Sequence, residues 1–261
     1  MHRRTFVKNT ALAVAAISAG KLNSQACELM VPLGRDRKGA NKLPEWRGFN
    51  LTDFNTPNPQ PDRRYTTEEH LKWMSDWGFD FVRLPVSYPY YLNFDRTKKI
   101  TPEEVYKIDE TAVNKIEQLI QWAHKYNLHV SFNLHRAPGY CINAGFNEPY
   151  NLWKDQEAQN AFYYHWNFWG KRFKNISNKK ISFDLLNEPC MREDMNDQHS
   201  KNSAIPGFLY REVARSAAEA IRKENKDHLV IADGNNVGND PISELVDLNI
   251  AQSCRGYFPH A

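Results

Sequence analysis

Six short apolar runs, separated by segments of helical periodicity, restrict this chain more than any other feature of its sequence. They fall at residues 46–51, 79–86, 128–135, 181–188, 229–234 and 250–257. The helical signals lie between them. Thr66 or Thr67 can cap a helix with Glu68 and Glu69 in its first turn, Leu71, Met74 and Trp77 on its apolar face and Gly78 closing it. Over 110–126, Val113, Ile116, Leu119, Ile120 and Ala123 recur at spacings of three and four. Residues 155–173 form a helix crowded with aromatics, 206–225 one that opens on a proline, and 241–248 a short one. Strands alternating with helices specify a parallel α/β fold.

A doubly wound open sheet and a (β/α)₈ TIM barrel both satisfy that alternation. No Gly-x-Gly-x-x-Gly follows a strand and no Gly-x-x-x-x-Gly-Lys occurs, so the nucleotide-binding folds lack their marks. Polar residues instead recur at the C-terminal ends of the runs: Asn50, Arg83, His135, Asn187 with Glu188, Asp233, and Arg255 with Tyr257. Functional groups gathered from many strand ends are the barrel pattern. A barrel of this type has eight strands and about 250 residues. The sequence is therefore expected to hold about six βα units of a barrel over 44–261, with strands seven and eight lost by C-terminal truncation.

The run at 181–188 is apolar on both faces, as a strand covered on both sides is. Alternation puts Asp184, Leu186 and Glu188 on one face and Phe183, Leu185 and Asn187 on the other. Pro189 has no N–H to continue the ladder, which places Glu188 at the strand's C-terminal lip. Alone, such a glutamate is an ordinary strand-ending carboxylate.

The first 26 residues read as an export signal. His2-Arg3-Arg4-Thr5-Phe6-Val7-Lys8 is a twin-arginine pattern ahead of a short Ala-rich segment. Cys27 is placed where a lipoprotein cysteine would stand, but Ser24 is a poor residue for such a site. Residues 27–43 read as a linker or irregular lead-in. Removing 1–26 takes away Arg3, Arg4, Lys8 and Lys21 and no acid, which turns a formal charge of +3 into −1. No basic footprint for nucleic acid remains, and no apolar run is long enough to span a membrane. Cys141 and Cys190 each follow a strand end within a few residues, where a bridge or two buried thiols are both compatible with export.

With the strand ends aligned, the chain resembles glycoside hydrolase family 5, the cellulase-like retaining glycosidases. The matching pieces are Arg47-Gly48-Phe49-Asn50, Phe81-Val82-Arg83-Leu84-Pro85, Leu134-His135-Arg136, Leu186-Asn187-Glu188-Pro189 and Tyr257. The resemblance implies that Glu188 is the general acid/base, and a partly desolvated carboxyl among other acids suits that role. It implies that Asn187 bonds the substrate's 2-hydroxyl and that Arg83 orients the nucleophile. Arg83 is equally placed for a structural ion pair with Asp184. By the same resemblance His135 lines the site and Tyr257 approaches the nucleophile. Trp46, Tyr88, Tyr90, Tyr91, Tyr140 and Trp153 lie near loops, where they stack on sugars or pack in the core.

Two departures stand out. Arg255 occupies a position where the family carries histidine, and the strand-seven glutamate that serves as nucleophile is absent. The expectation is an exported, endo-acting β-glucanase acting on a polysaccharide, a monomer when full length, without metal or cofactor, whose present fragment is inactive. A non-catalytic glycan-binding protein on the same scaffold is the alternative. A metal-dependent hydrolase using His135 and Asp233 lacks any His-x-His pair.

Overall fold

A computed structural model describes residues 43–256 apart from 195, 196 and 198. The export signal, Cys27, the lead-in up to residue 42 and Tyr257 lie outside the described residues. Six strands form one parallel sheet: β1 (Gly48–Asn50), β2 (Phe81–Ser87), β3 (His129–Arg136), β4 (Ile181–Asp184), β7 (Val230–Asp233) and β8 (Ala251–Ser253). Between β4 and β7 the chain makes a small antiparallel pair, β5 (Met191–Arg192) with β6 (Asn202–Ser203). Each strand of the sheet bonds its predecessor in sequence, in the order β1-β2-β3-β4-β7-β8. A doubly wound sheet reverses direction at a switch point. This one does not reverse, and it is the sheet of a partial (β/α)₈ barrel.

The long helices are α1 (Glu68–Asp76), α2 (Glu110–Lys125), α3 (Gln156–Phe173) and α4 (Gly207–Arg222). Thr67 caps α1 and, in return, accepts no glutamate partner; the His70 ring takes the Thr67 N–H at 3.1 Å instead. Asp109 caps α2 by accepting from the Thr111 and Ala112 N–H groups. On the helix side of the sheet, Phe132 and Phe183 meet Trp166, Trp169 and Phe173 of α3, with Phe132 and Trp169 centroids 4.6 Å apart. All five rings are buried, and burying one such phenylalanine contributes about 1.5–3 kcal/mol. The alternate strand positions, Arg83, Asn133, Ser182 and Asp184 among them, are polar and belong to the other face.

Two expectations about element bounds need correction, and alternatives left open by the sequence are resolved. The fourth strand stops at Asp184, not Glu188, and residues 185–189 leave strand geometry. The helix read over 241–248 is a single 3₁₀ turn, Ser243–Leu245. Trp46 lies before β1, at the opposite end of the sheet from Glu188, and stacks on His129 with centroids 3.7 Å apart. Tyr88, Tyr90, Tyr91, Tyr140 and Trp153 are core residues, none more than 4% exposed. Cys141 and Cys190 are buried free thiols. Among the described residues no helix is long and apolar enough to cross a membrane.

Candidate active site

Around the C-terminal ends of β4, β7 and β8, with Arg83 contributed from within β2, two guanidinium groups and three carboxylates meet. Arg83 Nε donates to Asp184 Oδ2 at 2.6 Å, and its Nη2 donates to Asn187 Oδ1 at 3.1 Å and lies 3.7 Å from Asp233 Oδ2. Arg255 Nη2 donates to the same Asp233 oxygen and, at 3.2 Å, to the same Asn187 oxygen. Its Nε reaches Glu188 Oε1 at 3.4 Å. Two donors on one acceptor fix which end of the Asn187 amide is oxygen. Its N–H₂ is left as the end that can donate to a substrate hydroxyl.

The backbone at Glu188 is left-handed, with φ of +47°. For a non-glycine residue such a turn costs free energy and persists only where the surroundings enforce it. The enforcing contacts are on both sides of the residue. Its N–H donates to Asp233 Oδ2 at 2.9 Å, and its carbonyl accepts the Tyr140 hydroxyl at 2.6 Å. Tyr140 Oη in turn accepts the Cys190 N–H at 3.0 Å, and Val237 N–H bonds the Pro189 carbonyl at 3.1 Å. The face assignment made for a continuous strand fails here, because the turn brings Asn187 to the same Arg83 that holds Asp184.

Burial, followed by the charge of Asp184, pushes Asp233 up to about 7 despite Arg83 and Arg255 nearby. A proton taken up there near neutrality leaves two carboxylates facing two guanidiniums. Burial also lowers His135 to about 4, aided by the charges of Arg83 and Arg136. The ring is therefore neutral at neutral pH. Its Nε2 bonds Asn143 Oδ1 at 2.9 Å, while its buried Nδ1 has no partner among the described residues.

Arg83, Asn187 and Glu188 are thus brought together, His135 stands within their electrostatic reach, and Tyr257 is outside the described residues. The Arg83–Asp184 pair expected from the sequence is present. Tyr140, Asp233 and Arg255 hold Glu188 in ways the sequence reading did not assign. Asp233 and Arg255 were visible as polar strand ends, whereas nothing near Tyr140 in sequence marks its contact with a residue 48 positions away. Asp53, three residues past β1, is spent on Thr66, accepting from its hydroxyl at 2.9 Å.

Beneath this cluster the β3–α3 connection is tied by a buried pair. Arg136 Nη1 donates to Glu148 Oε1 at 2.9 Å, and Glu148 Oε2 accepts from Tyr88 Oη at 2.7 Å and Gly139 N–H at 3.0 Å. Gly139 has φ of +80°, and a Cβ there would lie 2.5 Å from the Leu152 nitrogen. That connection carries both Tyr140 and Asn143.

The sequence model of the family described as Cellulase (glycosyl hydrolase family 5) matches residues 36–254. The chain belongs to glycosyl hydrolase family 5. Relatives include Endoglucanase C of Acetivibrio thermocellus, 27% identical over 71% of this chain and 47% of the relative. Cellodextrinase A of Ruminococcus flavefaciens is 30% identical over 48% of this chain and 33% of its own length. Among solved structures, a crystal structure of a glycoside hydrolase superposes with a TM-score of 0.68 at 31% identity, over 82% of this chain and 60% of that one. A hyperthermophilic endo-β-1,4-glucanase in complex with substrate shares the fold with a TM-score of 0.61 at 23% identity, over 82% and 60%. The chain spans half or less of the length of these curated relatives. The Asn187-Glu188 pair follows the end of β4, and Arg83 donates to Asn187.

Proposed function

We propose that this chain carries the acid/base side of a retaining glycosidase site that cleaves β-linked polysaccharide, with Glu188 as the general acid/base. The observation that carries the reading is the turn at Glu188: a left-handed glutamate gripped through its N–H, its carbonyl and its side chain. Strain held in place by three separate contacts suits a group whose position matters for proton transfer. Glu188 would protonate the departing glycosidic oxygen and then take a proton from water. Asn187 would donate to the 2-hydroxyl, and Arg83 would hold the nucleophile ionised and oriented. Asp184 and Asp233 are buried and committed to guanidiniums, so neither suits attack on a sugar carbon. The reading assigns the nucleophile to a carboxylate outside the described residues. The twin-arginine pattern at 2–8 supports placing the protein outside the cytoplasm.

The test is Glu188→Gln in the full-length protein, where the nucleophile is also supplied. Removing a general acid slows polysaccharide hydrolysis by about 10²–10⁴-fold, while an aryl glycoside whose leaving group needs no proton keeps its bond-breaking step. Binding of a cello-oligosaccharide should survive. Equal losses on both substrates would reject Glu188 as the acid, and unchanged hydrolysis of polysaccharide would reject any proton-transfer role. Glycan binding with no hydrolysis in either protein would favour a non-catalytic binding protein.

A further inference from the structure

A groove outside the cleft carries a second set of groups suited to a ligand. It encloses about 490 Å³ and is lined by Pro102, Glu103, Tyr106, Tyr150, Glu157 and Asn160. Tyr106 ends the 3₁₀ turn Glu104–Tyr106 in the β2–α2 connection, Tyr150 belongs to the β3–α3 connection, and Glu157 and Asn160 are in the first turns of α3. Both connections leave the C-terminal ends of their strands. The groove therefore belongs to the same end of the sheet as Glu188, on its outer side.

The lining is unlike a packed surface. Tyr106 is 39% exposed, and Tyr164 braces it edge-on with centroids 4.9 Å apart. The ring is a fixed platform rather than a loose side chain. The Tyr150 hydroxyl is buried without a hydrogen-bond partner among the described residues, a cost that a ligand hydroxyl would remove. Asn160 Oδ1 accepts from Gln156 at 3.1 Å, which leaves its N–H₂ to donate elsewhere. Burial raises both Tyr106 and Tyr150, so both stay protonated and able to donate.

We propose that this groove is an accessory binding site for neutral sugar units of a glycan chain. A pyranose presents an apolar C–H face to an aromatic ring and hydroxyls to carboxylate, amide and phenol groups at its edge. The lining supplies each of these. Glu103 and Glu157 repel uronate or sulfated chains, which restricts the ligand to uncharged sugars. A chain bound here would extend along the rim of the face that carries the cleft. The proposal rests on the reading that the protein handles polysaccharide, but it places the contact elsewhere on the surface.

The experiment is a titration of the ¹⁵N-labelled protein with cellotetraose, with tetragalacturonate as the charged control. Signals of Tyr106, Tyr150 and Asn160 should move with cellotetraose and not with tetragalacturonate. Tyr106→Ala, at an exposed position, should weaken this binding about tenfold through loss of the platform. Tyr150→Phe should weaken it about fivefold through loss of one hydrogen bond. Thermal midpoints of both variants report whether the fold is intact. Shifts confined to Arg83, Asn187 and Glu188 would overturn the groove and leave the cleft reading standing. Shifts at the groove alone would do the reverse. Equal binding by the two variants and the unaltered protein, equal response to the charged tetramer, or no response to cellotetraose would each overturn the proposal.

Discussion

Arg255 is the residue on which the charge balance of the site turns. It joins Asp233, Asn187 and Glu188 through one planar group, where a histidine has only two ring nitrogens and cannot span three acceptors. Arg255→Gln leaves Asp233 with Arg83 at 3.7 Å as the nearest cation given by the described contacts. Breaking one side of a buried pair costs about 3–5 kcal/mol when the other charge is stranded. Asp233, already raised to about 7, can escape that cost by taking up a proton. Urea unfolding should therefore show a loss of about 3 kcal/mol at pH 8 and distinctly less at pH 5.5. A loss that is the same at both values would mean that Asp233 does not titrate in the folded protein.

Among the elements, the β3–α3 connection is the one whose stability the site depends on, since it supplies Tyr140 to Glu188. Its anchor is the Arg136–Glu148 pair, both side chains 4% exposed. Glu148→Ala strands a buried guanidinium and frees the Tyr88 hydroxyl and the Gly139 N–H, so a loss of about 3–5 kcal/mol is expected. Replacing both partners with methionine should recover much of it, because no lone charge then remains buried; denaturation of the two single variants and the double variant measures this. The same connection marks where the sequence stops being legible. Strands and helices declared themselves because their apolar periodicity is local: α2 ends one residue from its expected limit, at Lys125 rather than residue 126. Asn50, His135 and Asp233 were legible at or next to strand ends for the same reason, whereas Glu188 lies four residues past the end of β4 and Arg83 lies inside β2. The left-handed turn was not, since Asn187-Glu188-Pro189 has no glycine to announce it and its causes, Tyr140 and Asp233, arrive from other βα units. Strands of two residues, as in β5 and β6, carry no period to read.

The molecule as a whole should lose stability in acid through the buried His129 and His165 and the partly buried His135. Burial lowers His129 and His135 to about 4 and His165 to about 3. Below an unfolded value near 6.5 the unfolded chain holds more protons than the folded one, so stability falls as pH drops from about 6.5 to 4, by up to about 1.4 kcal/mol per pH unit per histidine. Asp233 works in the opposite direction, because its folded value is raised: between about 4 and 7 it makes the fold more stable as pH falls. Glu148, also raised by burial, acts with Asp233, and His124 and His228, also lowered by burial, act with the three imidazoles, so the histidines outweigh the two carboxyls. Thermal midpoints should decline from pH 6.5 to 4.5, and His165→Gln should flatten the decline; a midpoint that rises over that interval would show the balance to be wrong. A last consequence follows from the φ of +47° at Glu188. At that turn glycine would be relieved of about 1–2 kcal/mol of backbone strain, set against the loss of the Arg255 contact. Glu188→Gly is expected to hold or raise the unfolding free energy while removing the proposed acid/base, and a drop beyond about 1 kcal/mol would contradict this. Foldability alone would favour removing this side chain. A stability selection run on random variants, blind to activity, should therefore drift away from glutamate at 188 sooner than from the aromatic wall behind it.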